Sequence, residues 1–132
     1  MSQTKKYTLS FCTVFHRDDG IAVIKVNEGI EVNAEMAKEV SDLAVRVIKG
    51  APFALLSDRK NSYSLSFEAM SNVANIPNLV ALAIVIYSDK SRLLVETQNI
   101  FISTMKKMPV KIFNDMDTAS DWLRTELSKV NT

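Results

Sequence analysis

Alternating apolar and polar residues predict that the chain begins with a β-hairpin. Residues 6–16 alternate in β-favouring residue types, which is typical of a strand with one buried face. Residues 17–20 end in an Asp-Gly pair, a strong short-range signal for a hairpin turn. Ile21–Val26 is apolar on both faces except at Lys25, so this second strand should lie deeper in the sheet. The predicted buried face of the first strand carries Tyr7, Leu9, Phe11 and Phe15.

Apolar residues at helical spacing predict four helices with identifiable starts and stops. Gly50 suits the left-handed end of the first helix, and Pro52 blocks its continuation. Pro77 lies just beyond the end of the second helix, and Pro109 separates the third helix from the last strand. The first helix is predicted to start at Asn33 and the second at Ser64 or Ser66. The third is predicted to start within residues 88–91, and the fourth at Asn114 or Asp115.

Three further apolar segments predict strands that alternate with these helices. Residues 53–56 form a short apolar run, and Val110–Phe113 forms the last one. Residues 79–87 contain no charge or hydroxyl before the terminal tyrosine, as expected for a central strand covered on both faces. The order is β-β-α-β-α-β-α-β-α, and strands alternating with helices give a mainly parallel sheet. We therefore expect one α/β domain over residues 1–132, with a five-stranded, mixed, mostly parallel sheet and four helices.

Composition and charge narrow the choice of partners. The chain has 132 residues, of which 47% are hydrophobic, enough for one buried core without disulfides or metal. Its net charge is +1, so no strong field favours nucleic acid or a membrane surface, and we expect neither as a partner. The longest apolar run, residues 79–87, is too short to span a membrane, and the polar start does not resemble a signal peptide. We expect a cytoplasmic protein.

The scarcity of reactive side chains argues against an enzyme. Cys12 is the only cysteine and His16 the only histidine, which excludes a disulfide framework and most cysteine- or histidine-based metal and catalytic sites. Cys12 is expected to be a small, half-buried apolar residue, and His16 a solvated residue at the end of the first strand. We predict no catalytic residue, no metal and no cofactor.

The order of elements and three sequence stretches resemble the STAS domain family, named for sulfate transporters and anti-sigma-factor antagonists. The resemblance covers nearly the whole chain and implies a SpoIIAA-like fold. It also implies a non-enzymatic regulatory or interaction module that binds a protein partner, such as an anti-sigma factor or related kinase, through the second helix and adjoining loops. The stretches are Leu55-Leu56-Ser57-Asp58-Arg59, Ser66-Phe67-Glu68-Ala69, and Lys111-Ile112-Phe113 with Ala119-Ser120-Asp121-Trp122-Leu123.

The start of the second helix departs from the pattern of the phosphorylated members of that family. Antagonists regulated by phosphorylation carry an Asp-Ser-Ser/Thr-Gly run there, and a partner kinase modifies the serine. Residues 61–68 read Asn-Ser-Tyr-Ser-Leu-Ser-Phe-Glu and contain no glycine. Ser64 and Ser66 are the weak phospho-acceptor candidates that this stretch offers.

The loops after the third and fourth predicted strands form the main candidate binding site. Carboxyl ends of parallel strands meet at one edge of the sheet, where helix N-termini also present free amides and partial positive charge. An anionic ligand or a protein partner is therefore expected there. The alternative is structural: Asp58 and Arg59 form a local ion pair, while Ser88 or Asp89 only caps a helix. The candidate binding residues are Asp58, Arg59, Lys60, Ser88, Lys90, Ser91 and Arg92.

Two further expectations concern ligands and assembly. The alternative function is a small-molecule or lipid-binding domain, with a pocket at the carboxyl edge of the sheet that the apolar residues 79–87 line. The fold implied by the resemblance also houses lipid-carrying domains. The first strand, with three aromatic residues, is expected to be a sheet edge that needs cover, so a homodimer is one expected assembly.

Overall fold

Eight strands and three helices lie within the residues that the computed structural model describes, which are 4–61, 63–88, 92, 95–96 and 108–130. Arg92, Val95 and Glu96 are also helical, whereas the rest of the predicted third helix lies outside the described residues. The helices are α1 (Ala34–Ile48), α2 (Phe67–Ala74) and α3 (Met116–Val130). The strands are β1 (Lys5–Thr8), β2 (Cys12–His16), β3 (Ile21–Val26), β4 (Glu31–Val32), β5 (Phe53–Asp58), β6 (Ser64–Leu65), β7 (Leu79–Val85) and β8 (Val110–Phe113).

Six of these strands form one mixed sheet in the order β1-β2-β3-β5-β7-β8. β2 runs antiparallel to β1 and β3, and the pairs from β3 through β5 and β7 to β8 are parallel. β4 and β6 pair in a separate two-stranded parallel sheet. The predicted mixed, mostly parallel α/β sheet is confirmed, and β1 is one of its edges. The predicted number of five strands is wrong, because the described part of the sheet has six.

The extra strand exists because residues 6–16 form a second hairpin rather than one strand. Thr8 of β1 lies opposite Thr13 of β2, and the Leu9 amide donates to the Cys12 carbonyl over 2.9 Å. The reversal passes through residues 9–11, which include no glycine or proline to mark a turn. Both strands of a hairpin keep the two-residue alternation, so the alternation alone does not reveal the reversal.

The reversal also changes which side chains share a face of the sheet. Phe11, Cys12 and Val14 are buried in the cluster shared with α1 and α2, whereas Phe15 packs against the opposite cluster. The single aromatic face predicted for this segment is therefore wrong. Cys12 is 1% exposed, so it is a fully buried residue rather than a half-buried one.

The core lies on both faces of the sheet, as the apolar run of residues 79–87 predicted. On one face Leu82 and Ile84 of β7 pack with α1 and α2. On the other face Ala81, Ala83 and Val85 pack with α3, where small side chains leave room for the helix. Within the described residues, no helix is both long enough and apolar enough to cross a membrane.

Side-chain caps fix the starts of the described helices where the sequence predicted them. The side chain of Asn33 accepts from the Met36 amide at 2.9 Å, and Ser66, rather than Ser64, caps α2. Asp115 accepts from the Thr118 amide at 2.7 Å at the start of α3. The cap at the end of α1 is Lys49, one residue before the predicted Gly50, and both residues have positive φ angles of 56° and 88°. Local hydrogen bonding therefore sets these helix boundaries.

Candidate functional site

The loops that follow β5 and β7 meet at the carboxyl edge of the sheet, which we call the rim. Asp58 at the end of β5 pairs with Val85 at the end of β7, and the Arg59 amide donates to the Val85 carbonyl over 2.9 Å. The Ile86 amide donates to the Phe113 carbonyl, also over 2.9 Å, which holds the end of β8 at the same level. The predicted meeting of the two loops is confirmed.

Asp58 joins the two loops through its side chain. One carboxylate oxygen accepts from the Lys60 amide at 3.1 Å within its own loop. The carboxylate also accepts a hydrogen bond from the hydroxyl of Tyr87, which belongs to the other loop. Burial, this hydrogen bond and the negative charge of Asp58 together raise the pKa of Tyr87 to about 12. Tyr87 is nevertheless 52% exposed, so it presents ring surface at the rim.

Arg59 points into the protein rather than out from the rim. It is only 7% exposed, and its guanidinium lies over the Tyr63 ring, 4.1 Å from the ring centre. The guanidinium also donates to the Tyr63 backbone carbonyl, and the Tyr63 hydroxyl bonds the Ser57 hydroxyl over 2.5 Å. The sequence placed Arg59 among the contact residues, but its cation is buried and is not offered to a partner at the surface. These three side chains hold the 59–63 loop from inside.

A cavity of about 60 Å³ lies beneath this loop, between the sheet and the helices α1 and α2. Apolar side chains of β3, β5, β7, α1 and α2 form most of its wall, and Ser57, Arg59 and Tyr63 supply the polar part. Clefts that take drug-sized ligands measure roughly 300 to 1,000 Å³. The cavity therefore has room for a small molecule of few atoms and not for a lipid chain.

A shallow groove of about 380 Å³ opens on the outer side of the rim. Tyr87, Ser88, Arg92 and Asn114 line it together with Ile86. Arg92 donates to the Asn114 side-chain oxygen at 3.3 Å and lies 3.7 Å from a Glu96 carboxylate oxygen. Lys60 is exposed on the neighbouring loop. The structure thus brings Asp58, Lys60, Ser88 and Arg92 to one edge. The candidate residues Lys90 and Ser91, and the alternative cap Asp89, lie outside the described residues.

The start of α2 adds an aromatic side chain to the same edge. Ser66 uses its hydroxyl to cap the helix, accepting from the Ala69 amide at 3.1 Å. Ser64 lies in β6, where its amide donates to the Ile30 carbonyl over 3.1 Å. Phe67, the first residue of α2, is 63% exposed, although phenylalanine is usually buried. Phe67 was noted in the sequence only as part of a family stretch, and its exposure was not predicted.

The remaining reactive side chains do not join the rim. Cys12 is buried in the core, where burial and the nearby charge of Glu39 raise the pKa of its thiol to about 12. His16 lies at the end of β2 and pairs with Ala22 near the start of β3, so it is at the end of the sheet opposite to the rim. Within the described residues, no cluster of three histidine, cysteine or carboxylate side chains is arranged to hold a metal ion. What the rim itself presents is exposed aromatic surface beside cationic side chains.

Comparison with known proteins identifies the family of this chain and a solved structure with a similar fold. The family described as "Domain of unknown function (DUF7793)" matches residues 15–127. The chain belongs to the DUF7793 family. No curated protein matches this DUF7793 member. A crystal structure at 2.25 Å of an uncharacterised DUF3478 protein with a SpoIIAA-like fold, from Shewanella loihica PV-4, is similar, with a TM-score of 0.56 and 18% identity. The match covers 92% of this chain and 93% of that one, so this DUF7793 chain has the predicted SpoIIAA-like, or STAS-like, fold.

Proposed function

We propose that this chain is a non-enzymatic STAS-type interaction module that binds a protein partner at the rim. The contact surface consists of the start of α2 and the loops after β5 and β7. The observation that carries the proposal is the pair of exposed aromatic side chains there, Phe67 at 63% and Tyr87 at 52% exposure. Aromatic residues are enriched in the centres of protein interfaces and often supply much of the binding energy.

The polar surroundings of the two aromatics support the same function. Lys60 and Arg92 are cations at the rim, and the carboxylate of Asp58 lies close enough to the Tyr87 hydroxyl to raise its pKa. An aromatic centre bordered by charged groups is the usual arrangement of a protein interface. A partner with an apolar surface and acidic border complements it. The STAS-like fold suggests an anti-sigma factor or a related kinase as such a partner.

The non-enzymatic part of the proposal is supported by the state of the reactive groups. Cys12 has a raised pKa of about 12, so its thiol stays protonated and is a poor nucleophile near neutral pH. His16, the only histidine, lies at the opposite edge of the sheet from Asp58 and Tyr87. General acid-base or nucleophilic chemistry needs such groups within hydrogen-bond reach of each other. The rim instead presents groups suited to recognition.

The test is capture of the partner with matched surface variants. Tagged protein serves as bait in lysate of the source organism, and the recovered partner is purified for titration calorimetry. Phe67→Ala and Tyr87→Ala each remove one rim aromatic. Val45→Ala is the matched control, because Val45 is 53% exposed on α1, away from the rim. We expect each rim variant to weaken binding at least about tenfold, since interface anchors contribute 2 kcal/mol or more.

Two results would contradict the proposal. One is a partner that binds the rim variants and the Val45→Ala variant with equal affinity, since the contact would then lie elsewhere. The other is the absence of any stoichiometric partner in lysate. Circular dichroism of each variant checks that the fold is intact before affinities are compared.

A second candidate function is the binding of a small molecule in the cavity beneath the rim. The observation in its favour is the apolar cavity of about 60 Å³ with Arg59, Ser57 and Tyr63 in its wall. Its size supports a ligand of few atoms rather than a lipid. Native mass spectrometry of gently purified protein tests this function. A mass equal to that of the bare chain, with no thermal stabilisation by short-chain carboxylates, would exclude it.

A further inference from the structure

A second charged groove lies at the edge of the sheet opposite the rim. It has a volume of about 440 Å³, within the range of roughly 300 to 1,000 Å³ that small-molecule sites occupy. His16 at the end of β2 and Val47 near the end of α1 both line this groove. His16 pairs with Ala22 near the start of β3, so the groove lies at the end of the sheet away from the carboxyl ends of β5 and β7. The groove is therefore separate from the surface proposed for the protein partner.

Cationic side chains from three parts of the chain converge on this groove. Lys5 comes from the edge strand β1, Arg46 from the last turn of α1, and Lys49 from the cap of that helix. None of the three forms an ion pair with any residue in the described ranges, in contrast to Arg17, whose guanidinium bonds the Asp19 carboxylate over 2.5 Å. Among the described residues that line the groove, Asp18 is the one acidic side chain. The excess of positive charge is concentrated at one place, although the whole chain carries only +1.

The helix dipole explains why two of these cations lie at the end of α1, but not why a lysine from β1 joins them. Cations near a helix C-terminus are favourable, which accounts for Arg46 and Lys49 individually. It does not account for Lys5, which belongs to a distant strand. Lys49 also adopts a left-handed conformation, with φ 56° and ψ 44°, that disfavours a residue with a side chain. The helix end therefore accounts for the position of Lys49, whereas the approach of Lys5 from β1 is a separate feature.

The wall of the groove also contains apolar surface. Tyr7 of β1 and Val47 of α1 are half-buried there, beside His16. A tyrosine ring suits the flat face of an aromatic or similar group. Arginine binds phosphate through two parallel hydrogen bonds, and lysine adds a compact charge. Cations beside a tyrosine ring therefore match a ligand that carries both a phosphate and a ring.

We infer that this groove binds a small organic phosphate, with the phosphate at Lys5, Arg46 and Lys49 and the organic part against Tyr7. The inference does not depend on the rim or on its partner. It assigns the chain a small-molecule site at the amino edge of the sheet. Charge neutralisation provides most of the affinity, and the tyrosine wall distinguishes organic phosphates from free phosphate.

The test uses phenyl phosphate and inorganic phosphate as probes, followed by amide chemical shifts of the ¹⁵N-labelled full chain. We expect saturable shifts centred on Lys5, Tyr7, Arg46 and Lys49, and tighter binding of phenyl phosphate. The double variant Arg46→Gln/Lys49→Gln should weaken binding of both probes at least about tenfold, because it removes two charge-assisted contacts. Tyr7→Leu should weaken phenyl phosphate only.

A matched control distinguishes binding at this groove from nonspecific attraction of the probes to positive charge. The double variant Lys38→Gln/Lys129→Gln removes the same charge from exposed lysines that pair with Asp42 and Glu126. It should bind both probes as the unmodified chain does. Equal loss in the control, shifts spread over the whole surface, or equal affinity for the two probes would each overturn the inference. Because all four substituted cations are exposed, each variant should remain folded, and circular dichroism verifies it.

Discussion

Replacing Tyr63 with phenylalanine tests whether the buried polar cluster holds the 59–63 loop beneath the rim. The change removes one hydroxyl and leaves the aromatic ring under the Arg59 guanidinium. The lost group is the partner of the Ser57 hydroxyl, and the two oxygens lie 2.5 Å apart. Ser57 is 8% exposed and Tyr63 is 9% exposed, so both hydroxyls are largely shielded from bulk water.

The expected cost follows from the burial of these two groups. A buried polar group left without its partner costs about 1 to 3 kcal/mol, so Tyr63→Phe and Ser57→Ala should each lower the free energy of unfolding by that amount. Removing both partners leaves no orphaned hydroxyl, so the double variant should lose less than the sum of the single variants. We expect a coupling free energy of about 1 to 2 kcal/mol between the two positions.

The assay is urea unfolding of the four proteins in this cycle, followed by circular dichroism. In thermal unfolding, each kcal/mol corresponds to about 3 to 5 °C in a domain of this size. Tyr7→Phe is the matched control and should change stability by less than about 0.5 kcal/mol, because Tyr7 is half-buried at the sheet edge. Strictly additive single variants would refute the reasoning, since they would show that the Ser57–Tyr63 hydrogen bond contributes nothing.

Three further predictions follow from the caps and the pKa shifts. Ser66→Ala should lower the free energy of unfolding by about 1 kcal/mol in urea titration, whereas Ser66→Asn, which keeps a capping oxygen, should not. Cys12 should resist thiol reagents in the folded protein near neutral pH and react fully in urea; fast labelling of the native protein would contradict its burial and its pKa of about 12. Tyr87 should deprotonate near pH 12 in ultraviolet titration, above the usual tyrosine pKa of 10. Because folding raises this pKa, the stability that the protonated Tyr87 hydroxyl contributes is complete below pH 10 and is lost as the pH rises through 12. Asp58→Asn should lower that pKa, and an unchanged titration would contradict the hydrogen bond.

Local patterns were enough to predict most helices and the central strands. The apolar residues of β7 alternate between two buried faces, and a strand without charge indicates cover on both sides. Asn33 and Ser66 cap the helices that they were expected to cap, because a cap depends on atoms only three residues apart. The meeting of the loops after β5 and β7 followed as well, since parallel strands send their carboxyl ends to one edge.

The direction of individual side chains was not predictable in the same way. Asp58 and Arg59 are neighbours in sequence, yet one reaches outward to Tyr87 and the other inward to Tyr63. Which way each points depends on space and partners contributed by other elements. The hairpin at residues 9–11 was missed for a related reason, because its burial pattern arises from contacts with α1 and α2.

The amino-acid sequence by itself determined the periodicity of each element, the helix caps and the α/β order, since these depend on interactions between residues close together in the chain. The tertiary structure alone decided that Arg59 is buried, that Phe67 and Tyr87 are exposed at one rim, and that Lys5 meets Arg46 and Lys49 at the opposite edge. Such arrangements join residues far apart in sequence, and only packing of the whole sheet against its helices brings their side chains together.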